Sequence, residues 1–518
     1  MVSGSSFPVR LGRYLLAAVA AVAMLLILAR ALVGPFGPIH NPIGLECAAA
    51  VSALLAVWLA SSTSPLPTGA GSPNWLMAVV LLEVGIAYGS ILTMPLVTDD
   101  YIQLHQISGS SPLGLFAQVG AGSQFYRPIT HLTYWAEWKA WGTAALPRHA
   151  FDLVLHAASS LLFFLLVRCL AIPRPFDILA ALAFTWHGIR PEVVAWTAAR
   201  ADALALFFSL AAALAISRRT SFGFGLAVLA IAAACLSKES AFALPFLLAP
   251  FVWLDGTDNR RTAWSRIGFL FAIAGAVFLL RWWMLQGIGG YSDDAGAPRA
   301  LDISALGLAK TFGSRIWGVL WYPVNWSMPL EWWMKAAFSL GTAGWLLMLK
   351  AQPDRRRLAL AIACVAAACI PVHHLLLIDS TLEKSRYLTL ASVPFVLVLV
   401  YIWLGMPRKW GIAAAALIVT FEVAAVDHNL KIWKMVAISR LDACREIAEI
   451  ARKTEAPLAV TNMPMTVNGV YWRNGFEECL LLNFGIPLGR VRVNGAPPAQ
   501  GELELPWAGF RKDPAPRR

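Results

Sequence analysis

Charge is scarce in this chain. Asp, Glu, Lys and Arg make up 14% of its 518 residues, where an ordinary soluble domain carries about 25%. Apolar residues make up 58%, more than one soluble core can hide, so a soluble globular protein is excluded. Internal repeats are missing as well, and no 34-residue helical repeat is present, which excludes a solenoid. No transit peptide opens the chain. There are seven cysteines. Cys47, Cys169, Cys235, Cys364 and Cys369 sit in or beside apolar runs and read as small core residues. Cys444 and Cys479 lie in a more polar tail. They are either bridged, if that tail is outside the cytoplasm, or two buried thiols.

What the chain has in quantity is long apolar runs, many of roughly 17–22 residues, the length that spans a bilayer. Spans are expected near 14–33, 44–61, 75–96, 149–169, 176–188, 200–217, 222–236, 241–254, 267–285, 333–349, 358–378, 388–405 and 411–426. The first has a basic flank but no clean cleavage site, so it reads as a retained span rather than a signal peptide. Residues 302–330 are also apolar and add either a hairpin or a re-entrant segment.

The net charge is +12, and the positive residues fall in short clusters between the runs. Arg10 and Arg13, Arg168 and Arg174, Arg218 and Arg219, Arg260, Arg261 and Arg266, Lys350 and Arg355–Arg357, and Arg408 and Lys409 all share one side if the N-terminus is cytoplasmic. That is the positive-inside pattern, a topology signal rather than the footprint of a nucleic-acid binder. The C-terminus is then external, and an Ala- and Arg-rich composition points to a bacterial inner membrane. The expected fold is all-α and polytopic, with about 13 transmembrane helices. Residues 1–74 hold two additional N-terminal spans and 75–426 a membrane domain with external loops at about 97–148 and 286–332. The first loop contains amphipathic segments that read as interfacial helices. Residues 427–510 alternate like a small external α/β domain, and 511–518 read as a disordered tail.

Where the third run ends, "PLVTDDYIQLHQ" sets Asp99 and Asp100 side by side at the expected external surface. Holding a charge near the bilayer centre costs at least about 2.5–3.5 kcal/mol, so charges retained between apolar runs are functional candidates. Four more segments qualify. "FYRPITHLTYW" holds Tyr126, Arg127 and His131; "FTWHGIRPEVVAWTAARADALA" holds His187, Arg190, Glu192, Arg200 and Asp202; "CLSKESAFALP" holds Lys238 and Glu239; "DSTLEKSRYLTLASVPF" holds Arg386. The expected topology brings all of them to the external face. Each has a plain structural alternative: a helix cap for the aspartates, headgroup snorkelling for Arg127, an internal ion-pair network for Glu192, Arg200 and Asp202, and mutual pairing for Lys238 and Glu239. His373 and His374 are adjacent, which points them apart on a helix and favours a structural role.

Acids and bases converging at one membrane surface suit a reaction whose leaving group is a lipid phosphate. Arg, Lys or His offsets the charge growing on that phosphate, and a carboxylate takes the proton of an acceptor hydroxyl. Two adjacent carboxylates leave a divalent metal open, but alone they are a weak metal signal. A transporter or flippase of lipid-linked glycans is the alternative class; it calls for mid-membrane charge and related halves, and no such halves are found.

The ordered series of an aspartate pair, "YRP", "HGIRPEVVAWTAARAD", "SKES", and "SRYL" followed by "ASVPF" resembles the transmembrane O-mannosyltransferases that carry tetratricopeptide repeats, members of the GT-C superfamily. The resemblance covers roughly 75–426. It implies a GT-C-like fold and a polyprenyl-phosphate sugar as donor, with no soluble nucleotide sugar. By position it implies that Asp99 is the catalytic base, with Asp100 supporting it or holding acceptor or metal. It makes Arg127, His187, Arg190, Arg200, Lys238 and Arg386 the candidates for the donor phosphate. Tyr126, His131, Glu192, Asp202 and Glu239 support them. The repeats of that family are absent here, so the acceptor remains a glycan, a lipid or a protein, and the sugar mannose or another sugar carried on the same lipid.

Overall fold

A computed structural model describes residues 83–119, 124–254, 260–291, 354–376, 378, 380–493 and 498–507, and parts of the stretch between 292 and 353, where 316–327 is continuous. The first two expected spans, Cys47 and the tail 511–518 lie outside the described residues.

Helices dominate. α1 (Asp99–Ser108) and α2 (Pro128–Trp141) follow the expected third span, with a short helical turn at Gly114–Ala117 between them. Then come α3 (Ala145–Cys169), α4 (Phe176–Thr185), α5 (Arg190–Ala195), α6 (Arg200–Ser217), α7 (Ser221–Ser237), α8 (Leu244–Leu254), α9 (Arg260–Leu285), α10 (Arg355–Cys369), α11 (Ser392–Leu404) and α12 (Arg408–Lys453). Five helical stretches are long and apolar enough to cross a membrane: Ala145–Cys169, Thr197–Ser217, Arg260–Leu285, Arg355–Leu375 and Arg408–Lys453. Four shorter apolar ones run Phe176–Thr185, Ser221–Ser237, Glu239–Trp253 and Ser392–Leu404. Each coincides with an expected span. The chain is a multi-pass membrane protein.

Several of these helices are apolar around most of their circumference, as bilayer burial demands. α4 and α11 are enclosed, with nearly every residue buried. α9 is exposed along much of its length: Phe269, Leu279, Trp282 and Trp283 face outward, as a lipid-facing surface would. α6 and α7 form a tight antiparallel hairpin turned at Arg218–Thr220, where the Thr220 hydroxyl accepts from the Gly223 amide at 2.9 Å.

α12 has 46 residues, ~69 Å at 1.5 Å per residue, about twice the hydrocarbon thickness of a bilayer. It leaves the bundle as one unbroken rod, and position 427, where the composition shifts, lies inside it. Beyond it a small α/β unit folds back. β1 (Leu458–Thr461), fully buried, is the centre of a parallel sheet between β4 (Val491–Arg492) and β5 (Leu503–Pro506). A hairpin, β2 (Thr466–Val467) and β3 (Val470–Tyr471), and the helix α13 (Phe476–Phe484) complete it. Cys444 on α12 and Cys479 on α13 are buried, free thiols in contact, the second of the two arrangements expected of them. Of the other cysteines, Cys235 and Cys369 are buried as expected, while Cys169 is exposed at the end of α3.

Candidate active site

Asp99 and Asp100 open α1, where acids suit the positive end of the helix dipole. Thr98, just before them, sits at φ 45°, ψ −120°, a strained conformation for a β-branched residue. The two aspartates have different surroundings. Both Asp100 oxygens are taken: Oδ2 accepts from the Val97 amide at 2.9 Å and Oδ1 from the Ala198 amide at 2.6 Å. The side chain is buried and ties α1 to the turn before α6. Burial outweighs those donors and pushes its carboxyl up to about 7. Asp99 is half-buried. Burial raises its carboxyl too, opposed by the Arg386 charge, the nearby Asn474 side chain, and Arg440.

Arg386 lies in the short turn Ser385–Leu388. Glu192 holds that turn in place: it accepts from the Arg386 amide (2.9 Å), the Ser385 hydroxyl (2.8 Å) and the Arg386 guanidinium. The guanidinium also lies over Trp196 and Tyr387, 4.6 Å from each ring centroid. Lys238 sits over the Tyr387 ring at 4.7 Å and pairs with Asp202. Burial brings the Lys238 ammonium down to about 8. Next to it, Glu239 accepts from Arg127 Nη2 at 2.7 Å and stands 3.4 Å from Arg281 Nη2. The Arg127 guanidinium covers Phe125 at 4.2 Å. A seam of charge therefore runs from Asp99 through Arg386 and Lys238 to Arg127.

The remaining expected residues fall elsewhere. Arg200 is fully buried and fastened to Asp152 and Glu137, both at 2.7 Å. Asp152 also accepts from the Thr197 hydroxyl at 3.0 Å, so Arg200 braces the turn that Asp100 grips. His187 and Arg190 lie in the bundle. The Glu422 carboxylate, 4.0 Å from His187, accepts from the Gly188 amide at 2.7 Å. Arg190 donates to the Phe184 carbonyl and the Ser392 hydroxyl. Neither shares a described side-chain partner with the seam. The Tyr126 hydroxyl donates to the Phe116 carbonyl at 2.8 Å and pins the first loop. His131, half-buried beside Arg127, is held near 4 by burial and is therefore neutral.

Three members of this site were not singled out from sequence. Arg281 is 5% exposed, with Nε unpartnered by hydrogen bonds, beside Glu239; its signal is a lone arginine inside "FLLRWWML". Asn474 and Arg440 come from the polar tail and carry no local signal. His374, which the sequence marked as structural, is half-buried and feels the charges of His373, Arg299 and Glu239.

The aspartate pair does not fit a metal site. Asp100 is spent on backbone amides, and among the described residues no group of three or more His, Cys, Asp or Glu side chains converges.

An apolar crevice of about 390 Å³ runs between α3, α6, α8, α10 and α11. Its lining includes Leu244 and Leu390, a few positions along the chain from Glu239 and Arg386, and Arg219 and Arg357.

No protein-family model matches the chain. A stretch of 92 residues is 34% identical to the Protein O-mannosyl-transferase F38B6.6 of Caenorhabditis elegans, covering 17% of this chain and 13% of that protein. The chain is also similar to two crystal structures of ArnT from Cupriavidus metallidurans. With the one bound to undecaprenyl phosphate the identity is 17%, over 82% of this chain and 92% of the other, at a TM-score of 0.32. With the apo structure it is 16%, over 80% and 84%, at a TM-score of 0.33.

Proposed function

We propose that the chain is an inverting glycosyltransferase of the GT-C type that moves a sugar from a polyprenyl-phosphate carrier to a hydroxyl acceptor at the external membrane face. The observation that carries this reading is the half-buried Asp99 beside a seam with surplus positive charge. Counting Asp99 and the Arg440 that faces it, five cations (Arg127, Arg281, Lys238, Arg386, Arg440) face four carboxylates (Glu239, Asp202, Glu192, Asp99). One anionic phosphate balances that surplus. The apolar crevice, lined by Leu244 and Leu390 a few positions along the chain from Glu239 and Arg386, suits an isoprenoid tail. The short match to a protein named as an O-mannosyl-transferase favours mannose as the sugar. The reading places the enzyme in a bacterial inner membrane.

In this reaction the acceptor oxygen attacks the anomeric carbon as Asp99 takes its proton. The bond from that carbon to the phosphate oxygen breaks, and the lipid phosphate leaves with the electron pair. One displacement inverts the anomeric centre. The growing phosphate charge is met by Arg386, Lys238, Arg127 and Arg281. Asp100 fixes the start of α1 and so the position of Asp99; no step needs a metal.

The test is transfer of radiolabelled sugar from polyprenyl-phosphate donors in proteoliposomes, with host membrane extract as acceptor. A general base contributes about 10²–10⁴-fold, so Asp99→Asn is expected to lose activity by that factor while keeping its fold. Native-level transfer by Asp99→Asn removes Asp99 as the base. The absence of transfer from every donor overturns the enzyme reading.

A further inference from the structure

The α/β unit after α12 reaches into the site at two points. The first is through Arg440, which is 1% exposed. Its Nε donates to the Trp472 carbonyl at 2.9 Å and its Nη2 to the Asn474 carbonyl at 2.8 Å. Its guanidinium lies 5.3 Å from the ring centroids of both Tyr101 on α1 and Phe476 on α13. One arginine thus joins the 472–476 loop to the helix that carries Asp99. At Gly475 (φ +65°) a Cβ would stand 2.2 Å from the Thr98 carbonyl oxygen, so only glycine lets that loop lie against the strained residue before Asp99.

The second point is the β2–β3 hairpin. At Gly469 (φ +80°) a Cβ would stand 2.4 Å from the Thr381 carbonyl oxygen, on the segment leading to Arg386. Tyr471 lies 5.8 Å from Trp196, the ring beneath Arg386, and Trp433 of α12 stacks on Trp196 at 5.9 Å. The unit therefore touches both sides of the site, the Asp99 side and the Arg386 side.

We propose that this unit completes the active site, with Asn474 as the positioning residue for the Asp99 carboxylate and Arg440 as the clamp that holds Asn474 there. This rests on the reading of Asp99 as base. The Asn474 side chain lies close enough to the Asp99 carboxylate to favour its ionised form, and Arg440 holds the Asn474 carbonyl at 2.8 Å, so the amide stands where it steadies that carboxylate as the acceptor hydroxyl approaches. Three other charged groups face Asp99: Arg386 from its turn, Arg440 from α12, and Asp100 from α1. Asn474 is the neutral group beside them, so its removal takes away a polar neighbour of Asp99 without changing the charge of the site.

The test compares the native protein, Asn474→Leu and Asp99→Asn in the proteoliposome assay across pH, with melting in detergent as the fold control. A hydrogen bond to a charged group is worth about 10–100-fold. Asn474→Leu is expected to lose kcat by that factor with donor KM unchanged. Its acid limb moves to higher pH, because a donor to the ionised carboxylate favours that form. Should Asn474→Leu not fold, Asn474→Ala, which also leaves the charge unchanged, carries the same test. An acid limb at the native position, or a native kcat, in a folded variant overturns the proposal. If Asp99→Asn is inactive and the Asn474 variants are native-like, this inference alone fails. If Asp99→Asn is active, the base reading fails and this one with it.

Discussion

Arg281 shows how one side chain sets the charge of a site. Glu239 takes a hydrogen-bonded pair with Arg127 and leaves Arg281 at 3.4 Å, with its Nε unpartnered by hydrogen bonds and the side chain 5% exposed. An arginine in that condition has lost its water without gaining full compensation, a cost that an anionic ligand relieves. Arg281→Gln leaves Glu239 paired with Arg127, so the fold is expected to survive. The surplus of five cations over four carboxylates falls to balance. We expect donor KM to rise about tenfold, the scale of a charge-assisted contact, with a smaller effect on kcat. Steady-state kinetics against donor concentration check this, and an unchanged donor KM takes Arg281 out of the phosphate site. The aspartates make the complementary point. They are neighbours in sequence, yet one is spent on two backbone amides and the other is half-open to the seam, a division that no pattern of letters announces.

At the level of elements, the corner between α4 and α5 is held by α12. The Gly188 amide donates to Glu422 at 2.7 Å, and the Gly188 carbonyl accepts from the Asn429 side chain at 2.7 Å. A Cβ on Gly188 would stand 2.5 Å from the Pro323 carbonyl oxygen and 2.9 Å from the Ala425 Cβ. Those neighbours are backbone and helix and cannot swing away. Gly188→Ala is expected to destabilise by about 1–3 kcal/mol, the usual cost of overpacking, seen as a lower melting temperature in detergent; an unchanged melt would mean the corner is looser than its contacts imply. The same elements show what a sequence reveals. The nine expected spans from 149–169 to 411–426 that fall on described helices were legible because apolar length is a local property of the chain. Asp99, Arg127, Glu192, Asp202, Lys238, Glu239 and Arg386 stand out in the sequence as charge between apolar runs. Their pairing does not, because Glu192 meets Arg386 across 194 positions and Arg127 meets Glu239 across 112. Arg281 was hidden inside its apolar run. His187, Arg190 and Arg200 read as site cations, and their contacts lie among the bundle helices.

For the whole molecule, the question is which way it sits. The crevice lining includes Arg219 and Arg357, and the exposed arginines Arg218, Arg355 and Arg356 flank those positions in sequence. Asp99 and the α/β unit contact each other through Arg440 and Gly475, so they share a side. Positive clusters stay cytoplasmic because moving them across costs energy against the membrane potential and the insertion machinery. The arginine end is therefore expected inside, and the Asp99 end outside with the α/β unit. Single cysteines placed at Arg356 and at Gln500, both exposed, in a background with Cys47 and Cys169 replaced by serine, report this directly. A membrane-impermeant maleimide added to right-side-out vesicles is expected to label Gln500→Cys and to spare Arg356→Cys until the membrane is opened. The buried Cys444 and Cys479 stay silent in both. Labelling of both positions from one side would mean that an odd number of crossings does not separate them, and the external placement of the base would fall with it. Labelling in the reverse order would put the seam at the cytoplasmic surface, where a soluble nucleotide sugar could reach it and a lipid-linked donor would no longer be required.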